Sequence, residues 1–172
     1  MERVLILSDS HGLTNEITKI KERHQCGHVI HCGDSELEHD HPALKNVTTV
    51  KGNCDFDPKL KYIESLEIGA IQFFITHGHL YDVGINLQSL YDSASENGVQ
   101  VVCYGHTHVA GAEKMNGILL INPGSIRLPR RRNEKSYAIM EWEDIGEIHI
   151  HFYTTSGEKI DDLAYRTSLE RS

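Results

Sequence analysis

The sequence predicts an α/β layered sandwich built on mixed sheets. Short apolar runs of strand length alternate with polar, motif-like loops. Two amphipathic segments of helical periodicity accompany the early strands. Strands then dominate the second half, which argues against a purely parallel, doubly wound sheet.

Arg3–Leu7 reads as a buried strand. Leu13, Ile17, Ile20 and His24 recur at helical spacing, and Gly27 is the expected stop. Val29–Cys32 and Val47–Val50 are the next strands. Tyr62–Leu66 and Ala70–Thr76 read as a hairpin turning near Gly69. Leu87, Leu90, Tyr91 and Ala94 share one helical face, and Gly98 sits where a left-handed glycine ends a helix. Val99–Tyr104 follows as a buried strand. Ile118–Ile121, Tyr137–Trp142 and Glu147–Tyr153 complete the set. From Ser156 onward the chain is polar and is expected to pack loosely as a short helix.

With 172 residues, the chain is expected to form one domain spanning residues 1–172. Apolar residues make up 39% and charged residues 24%, a composition that excludes a disordered chain. Seventeen basic residues stand against 25 acidic ones, a net charge of −8. That balance argues against nucleic-acid backbones or anionic lipid as main partners. Apolar runs such as Val4–Leu7 and Ile118–Ile121 fall far short of the roughly 20 residues of a membrane span or the roughly 7–15 of a signal-peptide core. The four cysteines, at 26, 32, 54 and 103, form no CxxC pair. A soluble protein of the reducing cytoplasm is therefore expected. Twelve histidines, spread from His11 to His151, point to metal or proton chemistry.

The polar motifs recur in one kind of place, directly after a strand. Asp9-Ser10-His11-Gly12, Gly33-Asp34, Gly52-Asn53-Cys54-Asp55, His77-Gly78-His79 and Gly105-His106-Thr107-His108 each follow a strand candidate. Carboxyl ends of strands in open α/β sheets face one crevice, so five such loops can converge. Carboxylate, amide and imidazole donors suit divalent metals, and no cysteine pair is present to build a closed zinc site. Seven donors, one of them a carboxylate able to bridge, suit two ions. Each motif alone is weak, since DxH, GD and GN dipeptides are common turns. Their order, each after a strand, is the specific signal.

These five motifs resemble the signature of the calcineurin-like metallophosphoesterases. The short chain, Cys54 within Gly52-Asn53-Cys54-Asp55, and Asn122-Pro123-Gly124-Ser125 are similar to the small prokaryotic YfcE-type phosphodiesterases. The likeness spans roughly residues 3–128. It implies a four-layer αββα sandwich, two mixed sheets face to face with helices outside. It implies that Asp9, His11 and His108 hold one metal, that Asn53, His77 and His106 hold a second, and that Asp34 bridges. Asp34, Asn53 and His106 are the residues expected to be catalytic. Two ions about 3.5–4 Å apart can lower the pKa of a bridging water and neutralise phosphoryl oxygens. Manganese is the expected ion, with nickel, iron, zinc and magnesium as alternatives. Many superfamily members carry His where this chain has Cys54, and the resemblance implies that members lacking it favour diesters. The expected activity is hydrolysis of a small phosphodiester, and the resemblance also implies a homodimer. Two other readings compete. One is a non-catalytic metal-binding scaffold, because a retromer subunit shares the fold. The other is a nuclease acting on short nucleotides; extended nucleic acid is not expected.

Cys54, His79 and Arg127 are candidate substrate contacts. Arg130, Arg131 and Arg132 fit either phosphate capture or a solvated loop, and the loop reading is favoured. His149 and His151 alternate with Ile148, Ile150 and Phe152, the pattern of a half-buried strand. His31 and Cys32 are expected to pack, and His24, His28, His39 and His41 match no motif.

Overall fold

Glu2–Leu7 forms β1, and its pairing organises the molecule. It lies parallel to β2 (His28–His31), with Leu5 opposite Val29, and antiparallel to β9 (Ser136–Trp142), with Leu5 opposite Ile139. A strand with neighbours on both sides and layers on both faces has no wet side, which is why Val4–Leu7 is apolar without interruption. The structure, a computed structural model, describes residues 1–170. Its first sheet has the order β11-β10-β9-β1-β2-β3, with β3 at Val47–Thr49, β10 at Ile148–Thr154 and β11 at Tyr165–Thr167. The second has the order β4-β5-β6-β8-β7. Those strands are β4 (Ile63–Ile68), β5 (Ile71–Thr76), β6 (Val101–Cys103), β7 (Gly111–Met115) and β8 (Ile118–Asn122).

Strand alternation divides the apolar residues among three layers of contact. Val4, Ile6, Ile30, Phe73, Ile75, Val101, Leu119 and Met140 meet between the sheets. Leu5 and Leu7 point the other way, onto Ile17 and Ile20 of α1 (Asn15–His24). Phe74, Val102 and Leu120 face Leu90 and Ala94 of α2 (Gln88–Glu96). The result is the αββα sandwich of two mixed sheets.

Several boundaries differ from the sequence reading. Helix α1 ends on Gln25, in the left-handed region at φ 48°, and not on Gly27. Gly98 does stand just past α2 with φ 66°. The hairpin turns at Gly69, and the strands around Val47 and Val101 are shorter than their apolar runs. Strand β7 was not expected, because its edge position leaves Glu113 and Lys114 exposed and dilutes the apolar pattern. The C-terminal stretch is not a loose helix. It forms a 3-10 turn at Asp161–Leu163 and then β11, and Leu169 is buried in the inter-sheet core. The backbone explains this docking, since Leu169 N–H donates to the Ile145 carbonyl at 2.7 Å. No helix among the described residues is long and apolar enough to cross a membrane.

Candidate metal centre

Strands β1, β2 and β3 run parallel in one sheet, and β5, β6 and β8 run parallel in the other. The donor loops leave the carboxyl ends of these strands and meet at the seam between the sheets. Each chain bends sharply there. Asp9 (φ 54°), His11 (φ 42°), Asp34 (φ 57°), His106 (φ 72°) and His108 (φ 62°) all occupy left-handed backbone. That conformation costs a non-glycine residue on the order of 1 kcal/mol. Interlocking amides hold it: Asp9 N–H donates to Gly33 O at 3.0 Å, His11 N–H to Asp34 O at 2.9 Å, and Gly12 N–H to Ser35 O at 2.9 Å. Glycines here are fixed by crowding. A Cβ on Gly52 would run into the Asp34 carboxylate, and one on Gly105 into Ser8 Oγ and the Asp9 carboxylate.

Asp55 is the organiser of this backbone. Its Oδ2 accepts from Asp34 N–H at 2.8 Å and Gly52 N–H at 2.7 Å, and its Oδ1 from Glu36 N–H at 2.8 Å. Asp9 is anchored similarly. Its Oδ2 accepts from Ser8 Oγ at 2.5 Å and from His106 N–H at 3.1 Å, while its carbonyl accepts from Ser125 Oγ at 2.7 Å.

Three imidazoles have their tautomers set from behind. His77 Nδ1 donates to the Cys32 carbonyl at 2.8 Å, and His108 Nδ1 to the Leu128 carbonyl at 2.6 Å. His11 Nδ1 donates to the Glu36 carboxylate at 2.9 Å. Each Nε2 then carries a lone pair facing the site, the arrangement used by metal-binding histidines. His11 Nε2 and His108 Nε2 stand 3.4 Å apart. His77 Nε2 lies 3.1 Å from Asp34 Oδ2 and 3.3 Å from His106 Nδ1, which in turn is 3.1 Å from Asn53 Oδ1. At the centre is Asp9 Oδ1. It is fully buried and has no hydrogen-bond partner among the described residues. It lies 3.2 Å from His108 Nε2, 3.7 Å from His77 Nε2 and 3.8 Å from His11 Nε2. Acceptors facing one another this closely require positive charge between them. Asp9 with His11 and His108, and Asp9 with Asp34 and His77, each form a group whose ligand atoms lie within 4.8 Å. The donors fit divalent metal.

The electrostatics agree. Burial works to raise the Asp34 pKa, but the His77 hydrogen bond and charge and the Cys54 N–H bring it down to about 2. Burial also works to raise Asp9, and the His108 and His77 rings outweigh it. His77 is held above its ordinary value because the two carboxylates overcome its burial. His108 is raised chiefly by Asp9. His106 is lowered by burial and by the neighbouring His77. Burial, Asp34 and Glu36 push the Cys54 thiol up to about 11.

The seven candidate ligands are therefore brought together. Cys54 stands beside them, its N–H donating to Asp34 Oδ1 at 2.8 Å. The His79 ring lies 5.4 Å from that of His77, 6.2 Å from that of His106 and 5.6 Å from that of Tyr62. Burial, with His77 and His106 adding to it, lowers the His79 pKa. Arg127 donates to the His11 carbonyl at the rim. Arg132 is taken up by Asp162 (2.7 and 2.9 Å) and Glu134 (3.0 Å), as a structural loop contact. His31 packs, as expected: it accepts from Gly33 N–H, pairs with Ser10 Oγ, and is pushed by burial to about 4. His149 and His151 alternate along a half-buried strand. Sequence reasoning missed Glu36 and Ser8, which carry no motif. Asp55 was visible as the last member of its quartet, but its backbone role was not. An open cavity of about 880 Å³ runs from His11, Asp34, Asn53 and Cys54 to Val83, Ile85 and Leu87.

Fold and donor set together define an αββα sandwich with a candidate metal centre at the strand ends. The family model of the calcineurin-like phosphoesterase superfamily domain matches residues 2–145. The chain is 48% identical over 168 residues to a Bacillus subtilis protein named probable metallophosphoesterase YsnB, covering 96% of this chain and 99% of that one. It is 33% identical over 147 residues to phosphodiesterase MJ0936 of Methanocaldococcus jannaschii, covering 71% and 82%. The crystal structure of a conserved Streptococcus pneumoniae TIGR4 protein, a predicted phosphoesterase by its own description, superposes with a TM-score of 0.92 at 35% identity, covering 97% of each chain. Vacuolar Protein Sorting 29 of Cryptosporidium parvum shares the fold, with a TM-score of 0.77 at 20% identity over 97% and 98% of the two chains. The chain belongs to the calcineurin-like phosphoesterase superfamily.

Proposed function

We propose that the protein is a divalent-metal-dependent hydrolase of small phosphodiesters. One observation carries the reading: the buried, unpartnered Asp9 Oδ1, ringed by three imidazole nitrogens within 3.8 Å. In this reading Asp9, His11 and His108 would hold one ion and Asn53, His77 and His106 a second, with Asp34 as the carboxylate available to both. Manganese suits this mixed oxygen and nitrogen set. When bound, such a pair supplies an activated water at neutral pH and charge to offset the phosphoryl oxygens of an in-line displacement.

The chain's own residues prepare that step. Cys32, Leu128 and Glu36 fix the His77, His108 and His11 tautomers, so no ring must turn before it binds. Asp55 and the glycines hold the loops in the strained conformation that keeps all donors on one point. The left-handed turns after β1, β2 and β6 are paid for by folding, not at the moment of reaction. At Cys54 the site offers a neutral thiol, where the superfamily resemblance implies an imidazole in many members. A monoester carries more negative charge than a diester, and nothing cationic stands at that position to meet it. Diester specificity follows, and the naming of the M. jannaschii relative as a phosphodiesterase supports it.

The test is turnover of bis(p-nitrophenyl) phosphate by chelator-treated protein with and without added manganese. Hydrolysis is expected to return with the metal. Folded, manganese-loaded protein that leaves the diester intact would overturn the reading.

A further inference from the structure

Cys54 is close enough to the donor cluster to do more than border it. Its Sγ, a nitrogen of His11 and a carboxylate oxygen of Asp34 all lie within 4.8 Å of one another. Among the described residues no other cysteine joins a group of this kind. Cys32 and Cys103 are fully buried in the inter-sheet core, and Cys26 packs against the α1 cluster. The loop holds the sulfur in place. Cys54 N–H donates to Asp34 Oδ1 at 2.8 Å, which seats its backbone on the carboxylate. Asn53 Nδ2 donates to the sulfur at 3.6 Å, while Asn53 Oδ1 faces His106 Nδ1 at 3.1 Å. An N–H aimed at a sulfur favours its thiolate form. Cys54 also lines the cavity with His11, Asp34 and Asn53, so it stands on the side from which an ion enters.

A separate observation calls for positive charge at this point. Asp9 Oδ1, fully buried and without a hydrogen-bond partner among the described residues, lies 3.8 Å from His11 Nε2. Asp34 Oδ2 lies 4.0 Å from the same nitrogen. An ion that answers Asp9 and His11 is therefore within reach of Cys54. Zinc bonds of about 2.0–2.3 Å to nitrogen and sulfur would gather these donors with small side-chain movements. Ions divide by softness here. Carboxylate and carbonyl oxygens suit manganese and magnesium, whereas thiolate selects zinc.

Resting on the metal-dependent reading above, we propose that Cys54 is a conditional metal ligand. A softer divalent ion of the zinc type draws its thiolate into the set formed by Asp9, His11, Asp34 and His108, and manganese does not. As the sulfur–metal bond forms, the S–H bond breaks and the proton passes to water. With manganese the thiol stays protonated. Residue 54 then sets which ion the centre prefers, apart from any contact it makes with substrate.

Cobalt, loaded into chelator-treated protein as the spectroscopic stand-in for zinc, reads the bond directly. Thiolate on cobalt gives a charge-transfer absorption in the near ultraviolet, which imidazole and carboxylate ligands alone do not. The band is expected in the parent protein and is expected to vanish in Cys54→Ser and Cys54→Ala. Cys54→Ser should lower cobalt affinity about tenfold and leave manganese affinity within about twofold. Circular dichroism checks that both variants fold. A measurement on the parent protein needs no variant: zinc should slow iodoacetamide labelling of Cys54 about tenfold more than manganese does, with mass spectrometry locating the label. Cobalt-treated protein without the band, a band that survives both substitutions, or equal protection by zinc and manganese would overturn the proposal. Failure of the underlying reading looks different. The manganese-loaded parent protein would then leave bis(p-nitrophenyl) phosphate intact, with or without a cobalt band.

Discussion

Asp34 is wedged between two imidazoles and a backbone amide, with Oδ2 3.1 Å from His77 Nε2 and 4.0 Å from His11 Nε2. Converting it to Asn keeps the shape and removes the charge that both halves of the donor set share. Asp34→Asn should lower diester turnover by roughly 10²–10³-fold and reduce bound metal, as expected when a principal electrostatic group is lost. His79→Ala should keep its metal, because His79 contributes to none of the close donor groups. Elemental analysis alongside turnover checks both, and full metal content with parental activity in Asp34→Asn would refute the shared role. Cys54 permits the opposite experiment, adding a group. Cys54→His should raise the monoester-to-diester ratio of kcat/KM by roughly tenfold at best, less than a well-placed general acid provides. An unchanged ratio at equal metal occupancy would leave cavity shape as the source of diester preference.

The elements matter through their ends. Gly105 follows β6, and any Cβ there collides with Ser8 and Asp9 at the end of β1. Gly105→Ala should therefore destabilise the protein by about 1–3 kcal/mol and weaken metal binding at the same time, read by denaturant melts and metal titration. Stability lost without any loss of metal affinity would mean that the strand ends yield independently. This close approach across the seam was not legible in the sequence, where Gly105 is simply the residue before His106. The order of strand and donor loop was legible, because β1, β5 and β6 carry nearly unbroken apolar runs and the donors stand shortly beyond each strand, even after the polar, half-buried β3. Edge strands β7 and β11 were not legible. An edge strand needs only one partner and tolerates exposed polar residues, so Gly111–Met115 and Tyr165–Thr167 carry little hydrophobic signal. Glu36 was equally hidden. Its value lies in reaching His11 from a left-handed backbone at φ 57°, a matter of path and not of pattern.

At the scale of the whole molecule, metal and protons compete for one set of nitrogens. In metal-free protein His77 and His108 have raised pKa values. Their contribution to stability is complete below the unfolded value of about 6.5 and is lost as pH rises through the folded values. Asp34, lowered to about 2, contributes fully above the unfolded value of about 3.9 and loses its contribution as pH falls from there through about 2. Chelated protein should thus be most stable between roughly pH 4 and 6.5. Metal needs neutral rings, so the gain in Tm from manganese should grow from pH 6 to 8. With metal at about 100 times its Kd the gain is about 2.7 kcal/mol, or roughly 5–10 °C for a chain of this size. Melting curves at several pH values decide it, and a gain that shrinks with rising pH would contradict imidazole ligation. The central place of β1 also has a consequence during synthesis. Arg3 lies opposite Glu141, 138 residues later in the chain. At about 5–20 residues per second the ribosome needs roughly 7–28 s to deliver that partner. Through that interval the β9-facing edge of the first strand waits unpaired.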